Sequence, residues 1–205
     1  MASRARHKAG ILRSDSGVSL SMAELASRNQ LRGSLLRWAL VLVPGVLLLG
    51  ILSGRLAGSG ADNPWLADLA KPPLYPDPTV FGLVWIALYI LMGLSLAMVA
   101  AARGARWRTA ALVAFAVQFA LCLAWPAVFF GAHRILAALV LIVVLDVAAI
   151  AAILLVRLVR PVAALLLLPY LGWLLFATVL NWQFLVANPG VDGQDVSGAV
   201  TRIEI

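Results

Sequence analysis

Five apolar runs, each long enough to cross a lipid hydrocarbon core, limit what this chain can become. They lie near Leu35–Leu56, Val80–Ala102, Thr109–Phe130, Ile135–Leu158 and Pro161–Ala187. A core about 30 Å thick needs about 20 helical residues, and each run supplies that length. Inside lipid the backbone must satisfy its own polar groups, so the choice is between helices and a closed barrel. The runs are continuous Leu, Ala and Val rather than ten-residue alternating segments, which excludes a barrel. The expected fold is all-α, an integral membrane bundle of five transmembrane helices. Residues 35–187 form the membrane domain, residues 1–34 a disordered basic cytoplasmic tail, and residues 188–205 a short polar C-terminal tail.

Charge placement agrees with five crossings and orients them. Arg4, Arg6, Lys8, Arg13, Arg28, Arg32 and Arg37 fall in the tail and the start of the first span, Arg103, Arg106 and Arg108 between the second and third, and Arg157 and Arg160 at the junction of the fourth and fifth. The opposite side holds only Arg55, Lys71, Arg134 and Arg202, together with the acids Asp62, Asp68, Asp77, Asp192, Asp195 and Glu204. By the positive-inside rule the N-terminus is cytoplasmic and the C-terminus outside, in a cell (inner) membrane. The net charge of +7 and the pI near 10.8 thus report topology, and no nucleic-acid partner is expected. Met22 is an alternative start to Met1, with a short helix from Ala23 to Arg32 leading into the first span.

Common chemistries are missing. The single cysteine, Cys122, lies mid-span, so no disulfide forms within the chain, and His7 and His133 lack partners at metal-ligand spacing. No metal site, phosphate loop, nucleophile elbow or close carboxylate pair is present, so no catalytic residue is assigned.

The distinctive residues are aromatic. The segment WLADLAKPPLYPDPTVFGLVWIALYILMG, Trp65 to Gly93, is a proline-punctuated loop running into a helix striped by Phe81, Trp85, Tyr89 and Met92. On the third span Gln118, Cys122, Trp125 and Phe129 share a face, and on the fifth Tyr170, Trp173, Ala177 and Asn181 do so, widened by Phe176, Leu180 and Phe184. Flat rings with indole and phenol donors suit a planar amphipathic ligand, while tryptophans at span ends also serve as interfacial belts. Ala116, Ala120 and Ala124 lie largely opposite the polar face of the third span. Small residues at every fourth position permit close helix approach in lipid, making that face a candidate dimer contact. Asp146 is the one acid within a span, either a proton-coupling site or a carboxyl paired with a polar neighbour such as Gln118 or Asn181.

These residues resemble the TspO/MBR family, the tryptophan-rich sensory proteins whose animal members are the translocator or peripheral benzodiazepine receptor proteins. The resemblance runs from Trp65 to Asn181 through Lys71-Pro72, Pro76, Val80, Gly82, Val84-Trp85, Leu88-Tyr89, Gly93, Gln118, Trp125-Pro126, Phe129-Phe130-Gly131, Pro169-Tyr170, Trp173, Phe176-Ala177 and Leu180-Asn181. It implies a homodimer and, under the first loop, a pocket for porphyrins such as protoporphyrin IX or haem, with cholesterol and benzodiazepine-type drugs as ligands of animal members. Carried over by position, Trp85, Tyr89, Trp125, Trp173, Ala177, Leu180 and Asn181 line it. Trp65, Gln118, Cys122, Phe129 and Tyr170 complete the candidate ligand set. No cofactor is required; a tetrapyrrole, protoporphyrin IX or haem, is a candidate ligand. Asp77 and Leu83 depart from prolines usual in the family, Cys122 stands where Asn is common, and the cholesterol consensus is missing from the C-terminal region. The expected function is binding a tetrapyrrole for sensing, regulation or trafficking. Light- or oxygen-dependent porphyrin degradation and small-molecule transport stand as alternatives.

Overall fold

The computed structural model describes residues 33–60 and 62–193. The basic tail up to residue 32, the alternative start at Met22 and the C-terminal residues from 194 onward lie outside the described residues. Among the described residues five helices are long and apolar enough to cross a membrane: α1 (Gly33–Leu56), α3 (Pro78–Ala101), α4 with its continuation (Arg108–Gly131), α5 (Ile135–Val159) and α6 (Pro161–Ala187). The short helix α2 (Pro64–Asp68) sits in the loop after α1. Helix starts follow local chemistry. Pro64, Pro78 and Pro161 each open a helix, where a missing N–H costs nothing. Asn63 and Asp77 cap α2 and α3 by accepting hydrogen bonds from the backbone N–H groups of Leu66 and Thr79, both at 2.8 Å.

Asp77 and Leu83, the two departures from family prolines, are both accommodated. Asp77 makes the α3 cap, and Leu83, 62% exposed, faces outward where lipid lies. The Thr79 backbone N–H holds the Asp77 carboxyl below the usual carboxylate range. The cap therefore contributes above the carboxyl's unfolded value and is lost as pH falls through the lowered one.

The helices are held by close approach and by a few polar cross-links. Helix α5 packs between α4 and α6, and α3 packs chiefly on α6. Helix α1 meets α3 at Gly93, where an added Cβ would lie 2.6 Å from the Val43 Cα, so the two backbones touch as only glycine permits. It meets α4 through the Ser53 hydroxyl, which donates to the Leu123 carbonyl. The buried Ser95 hydroxyl donates to the Ala163 carbonyl at 2.9 Å, joining α3 to α6. Most outward positions carry Leu, Val or Ile, as a lipid-facing surface requires.

Pro126 ends the regular part of α4. Proline lacks the N–H for the i→i−4 ladder, and here the chain continues as a π-helical turn, Ala127–Gly131, with the Ala132 N–H bonding to the Ala127 carbonyl at 2.8 Å. The turn buries Phe129 and Phe130 side by side under the α1–α3 loop.

Candidate functional site

Beneath that loop lies a cavity of about 360 Å³, lined by α1, α3, α4, α5, α6 and the loop itself. Two aromatic columns border it. On α3, Trp85 lies 5.3 Å from Tyr89 and 6.5 Å from Phe81 between ring centroids. On α4 and its π turn, Trp125 stacks on Phe129 at 5.0 Å and 18°, and Phe130 meets both edge-on. The floor is apolar, with Ile142, Leu145 and Leu174 beside Cys122, and Ala177 leaves the α6 wall recessed.

Asn181 fixes the far wall. Its Oδ1 accepts from the Trp125 indole N–H at 3.2 Å, and its Nδ2 donates to the Ile135 carbonyl at 3.0 Å. One side chain thereby ties α6 to α4 and to the first turn of α5. Those amide groups are occupied, so the interior offers mainly ring faces and aliphatic surface.

The loop makes the roof. Trp65 on α2 is buried, stacks on His133 at 4.7 Å and meets Phe129 edge-on at 5.4 Å. The Lys71 ammonium donates to the carbonyls of Leu66, Ala67 and Leu69 at 2.7, 2.6 and 3.1 Å, closing the open end of α2. Asn188, just past α6, clamps the roof. Its Oδ1 accepts from the Ala70 N–H at 2.8 Å, while its Nδ2 donates to the carbonyls of Ala70 at 3.1 Å and Phe184 at 2.9 Å. Tyr75 packs edge-on against Phe184 at 5.6 Å, and burial, with the nearby Asp77 charge, pushes its phenol above the ordinary value. It is therefore a neutral hydroxyl at physiological pH. Asn188→Ala is expected to loosen the roof without unfolding the bundle, because both side-chain hydrogen bonds to Ala70 in the loop vanish while the only bond lost to a span is the local one to the Phe184 carbonyl at the end of α6. Amide exchange measured over residues 62–76 would rise in the variant while that of α3 and α5 stays protected; unchanged exchange would refute the clamp.

The structure divides the sequence-predicted residues. Trp85, Tyr89, Cys122, Trp125, Phe129, Ala177, Leu180 and Asn181 line the cavity. Trp65 belongs to the roof, one ring removed. Gln118 and Tyr170 lie deeper than the floor, where the tyrosine hydroxyl donates to Gln118 Oε1 at 2.7 Å. Trp173 stands behind Phe81, 5.4 Å away, and against Phe176 at 5.1 Å. A shared helix face runs the whole length of a span, and at about 1.5 Å per residue Tyr170 sits about 10 Å from Ala177 along α6. The cavity occupies only the loop end of each stripe.

Asp146 is buried on α5, and the Thr178 hydroxyl donates to its Oδ2 at 2.8 Å. The polar partner is thus Thr178, not Gln118 or Asn181; Asn181 is held by Trp125 and Ile135, and Gln118 makes its hydrogen bond with Tyr170. Ala116, Ala120 and Ala124 are exposed along α4, away from the cavity. Sequence periodicity overlooked α1, which contributes Gly50, Ile51, Gly54 and Arg55. An added Cβ at Gly50 would collide with the Tyr89 ring, so this glycine lets the ring lean over α1. The Gly50-x-x-x-Gly54 spacing was the available signal.

The comparisons with known proteins agree with this architecture. The family model described as "TspO/MBR family" matches residues 40–187, the greater part of the chain. The chain belongs to the TspO/MBR family. Among relatives, the tryptophan-rich protein TspO of Chlorobaculum tepidum is 41% identical over 129 residues, covering 61% of this chain and 80% of the relative. The translocator protein of Homo sapiens is 39% identical over 147 residues, covering 71% and 87%. The tryptophan-rich sensory protein of Cereibacter sphaeroides is 35% identical over 138 residues, covering 66% and 85%. With five apolar helices, this TspO/MBR member is a multi-pass membrane protein.

Proposed function

We propose that this TspO/MBR protein binds a planar hydrophobic ligand of the tetrapyrrole class in the cavity under the loop, and that occupancy is the event it senses or regulates. The observation that carries the reading is the cavity itself, about 360 Å³ bordered by the Phe81–Trp85–Tyr89 and Trp125–Phe129 columns. That volume falls within the range of small-molecule sites, and aromatic rings on two walls offer apolar surface to a flat guest. A sensory role is supported by the names of relatives, among them the tryptophan-rich sensory protein. The same reading places the protein in the inner membrane with its N-terminus cytoplasmic, on the strength of the arginine distribution. It also pairs two copies through the exposed Ala116, Ala120 and Ala124 face, whose small side chains allow close approach.

Titrating protoporphyrin IX into the purified, detergent-solubilised full chain tests the reading. Trp85 and Trp125 border the site, so their fluorescence is expected to quench saturably with one ligand per chain. A quench that rises linearly without saturation, as micelle partitioning produces, would overturn it.

A further inference from the structure

The cavity is apolar in its depth and carries a cation at its mouth. Arg55, in the last turn of α1, lines it, and no acidic residue does so among the described residues. The turn after α1 folds back, with the Gly58 N–H on the Arg55 carbonyl at 3.0 Å and the Ser59 N–H on the Gly54 carbonyl at 2.9 Å. Ser59, which carries a hydroxyl donor, thereby joins Arg55 in the cavity wall. The Lys71 ammonium holds three carbonyls and the Trp125 indole donates to Asn181 Oδ1. The Tyr75 and Tyr89 hydroxyls also line the cavity, which leaves Arg55 as the cation in its wall among the described residues. A guanidinium presents a planar fork of N–H groups that matches a carboxylate in two parallel bonds.

We propose that Arg55 is the specificity-determining residue of the cavity: it selects ligands that pair a flat apolar body with a carboxylate at one edge, the acid lying against Arg55 and Ser59 while the body enters between the aromatic columns. The inference rests on the tetrapyrrole reading and adds to it the ligand's orientation and its requirement for an anionic group. A neutral ligand of equal size would leave Arg55 facing an apolar edge at the mouth. An acidic ligand gains a charge-assisted contact beside the apolar cavity wall. An arginine at this place also has an ordinary role, extending its charge to the membrane interface and complementing the C-terminal end of α1. The two roles differ in what they discriminate.

The test compares protoporphyrin IX with its dimethyl ester, titrated by tryptophan quenching into the full chain and into Arg55→Gln and Arg55→Lys variants. The free acid is expected to bind the wild type about tenfold more tightly than the ester, the factor corresponding to one good charge-assisted contact. In Arg55→Gln that ratio falls toward one through weaker acid binding, with the ester unchanged, and Arg55→Lys restores part of it. Raising the salt concentration lowers the wild-type ratio. Equal weakening of acid and ester in Arg55→Gln, or a ratio that survives the substitution, would overturn the inference while leaving the pocket standing. Failure of both porphyrins to saturate the wild type would instead overturn the tetrapyrrole reading. The acid-to-ester ratio in the wild type needs no variant, so a misfolded Arg55→Gln protein leaves the proposal testable: a wild-type ratio near one refutes it.

Discussion

Ala177→Phe is expected to weaken protoporphyrin IX binding by at least about tenfold while the helical content of the protein stays at the wild-type level. Ala177 is 5% exposed and belongs to the packed core, yet it also borders the cavity on the α6 wall, so a benzyl group has a void to enter. It would occupy volume between the aromatic columns that a flat ligand needs, and its burial in a void recovers contacts the empty space lacks. The expected pair of results is therefore opposite in sign: thermal stability in detergent unchanged or raised, affinity lost. Quenching titrations beside thermal unfolding read both. Wild-type affinity in a folded Ala177→Phe protein would show that porphyrin binds elsewhere, since no guest of that width shares the cavity with an added ring.

Gly93→Val carries the largest expected cost in stability. Even the first carbon of the new side chain falls 2.6 Å from the Val43 Cα, and backbone, unlike the end of a flexible side chain, does not step aside. Helix α1 must move off α3, opening the contacts around Val46 and the Gly50–Tyr89 approach further along the same seam. Overpacking of this kind costs about 1–3 kcal/mol, and more where backbone shifts are forced. Gly172→Ala is the matched control. Its added methyl meets nothing within 4 Å, and removing a glycine from a helix interior contributes about 0.5–1 kcal/mol of stability. Thermal unfolding of both variants checks the contrast. A Gly93→Val protein as stable as the wild type would mean that α1 does not pack on α3 through this seam. Because Tyr89 lines the cavity and leans on Gly50, the destabilised protein is also expected to lose ligand affinity.

The five spans were legible because lipid leaves a backbone few options. Each apolar run exceeds the hydrocarbon thickness, each must satisfy its own N–H and C=O groups, and Pro78 and Pro161 mark helix starts in the residues themselves. The aromatic stripes of α3, α4 and α6 followed from helical periodicity, which assigns every residue an angle about its axis. Periodicity assigns neither a depth shared with other helices nor a partner. Only the assembled bundle decided that the cavity ends at Cys122, so that Gln118 and Tyr170 bond to each other below it and Trp173 stands behind Phe81. It likewise decided that Asp146 is met by Thr178 across the α5–α6 contact, while Gln118 bonds to Tyr170 and Asn181 to Trp125 and Ile135. The part of α1 in the site was hardest to read, since glycines and one arginine carry no stripe. Gly50 matters for the ring it admits and Arg55 for the cavity it faces, and both are properties of the neighbours that folding brings to them.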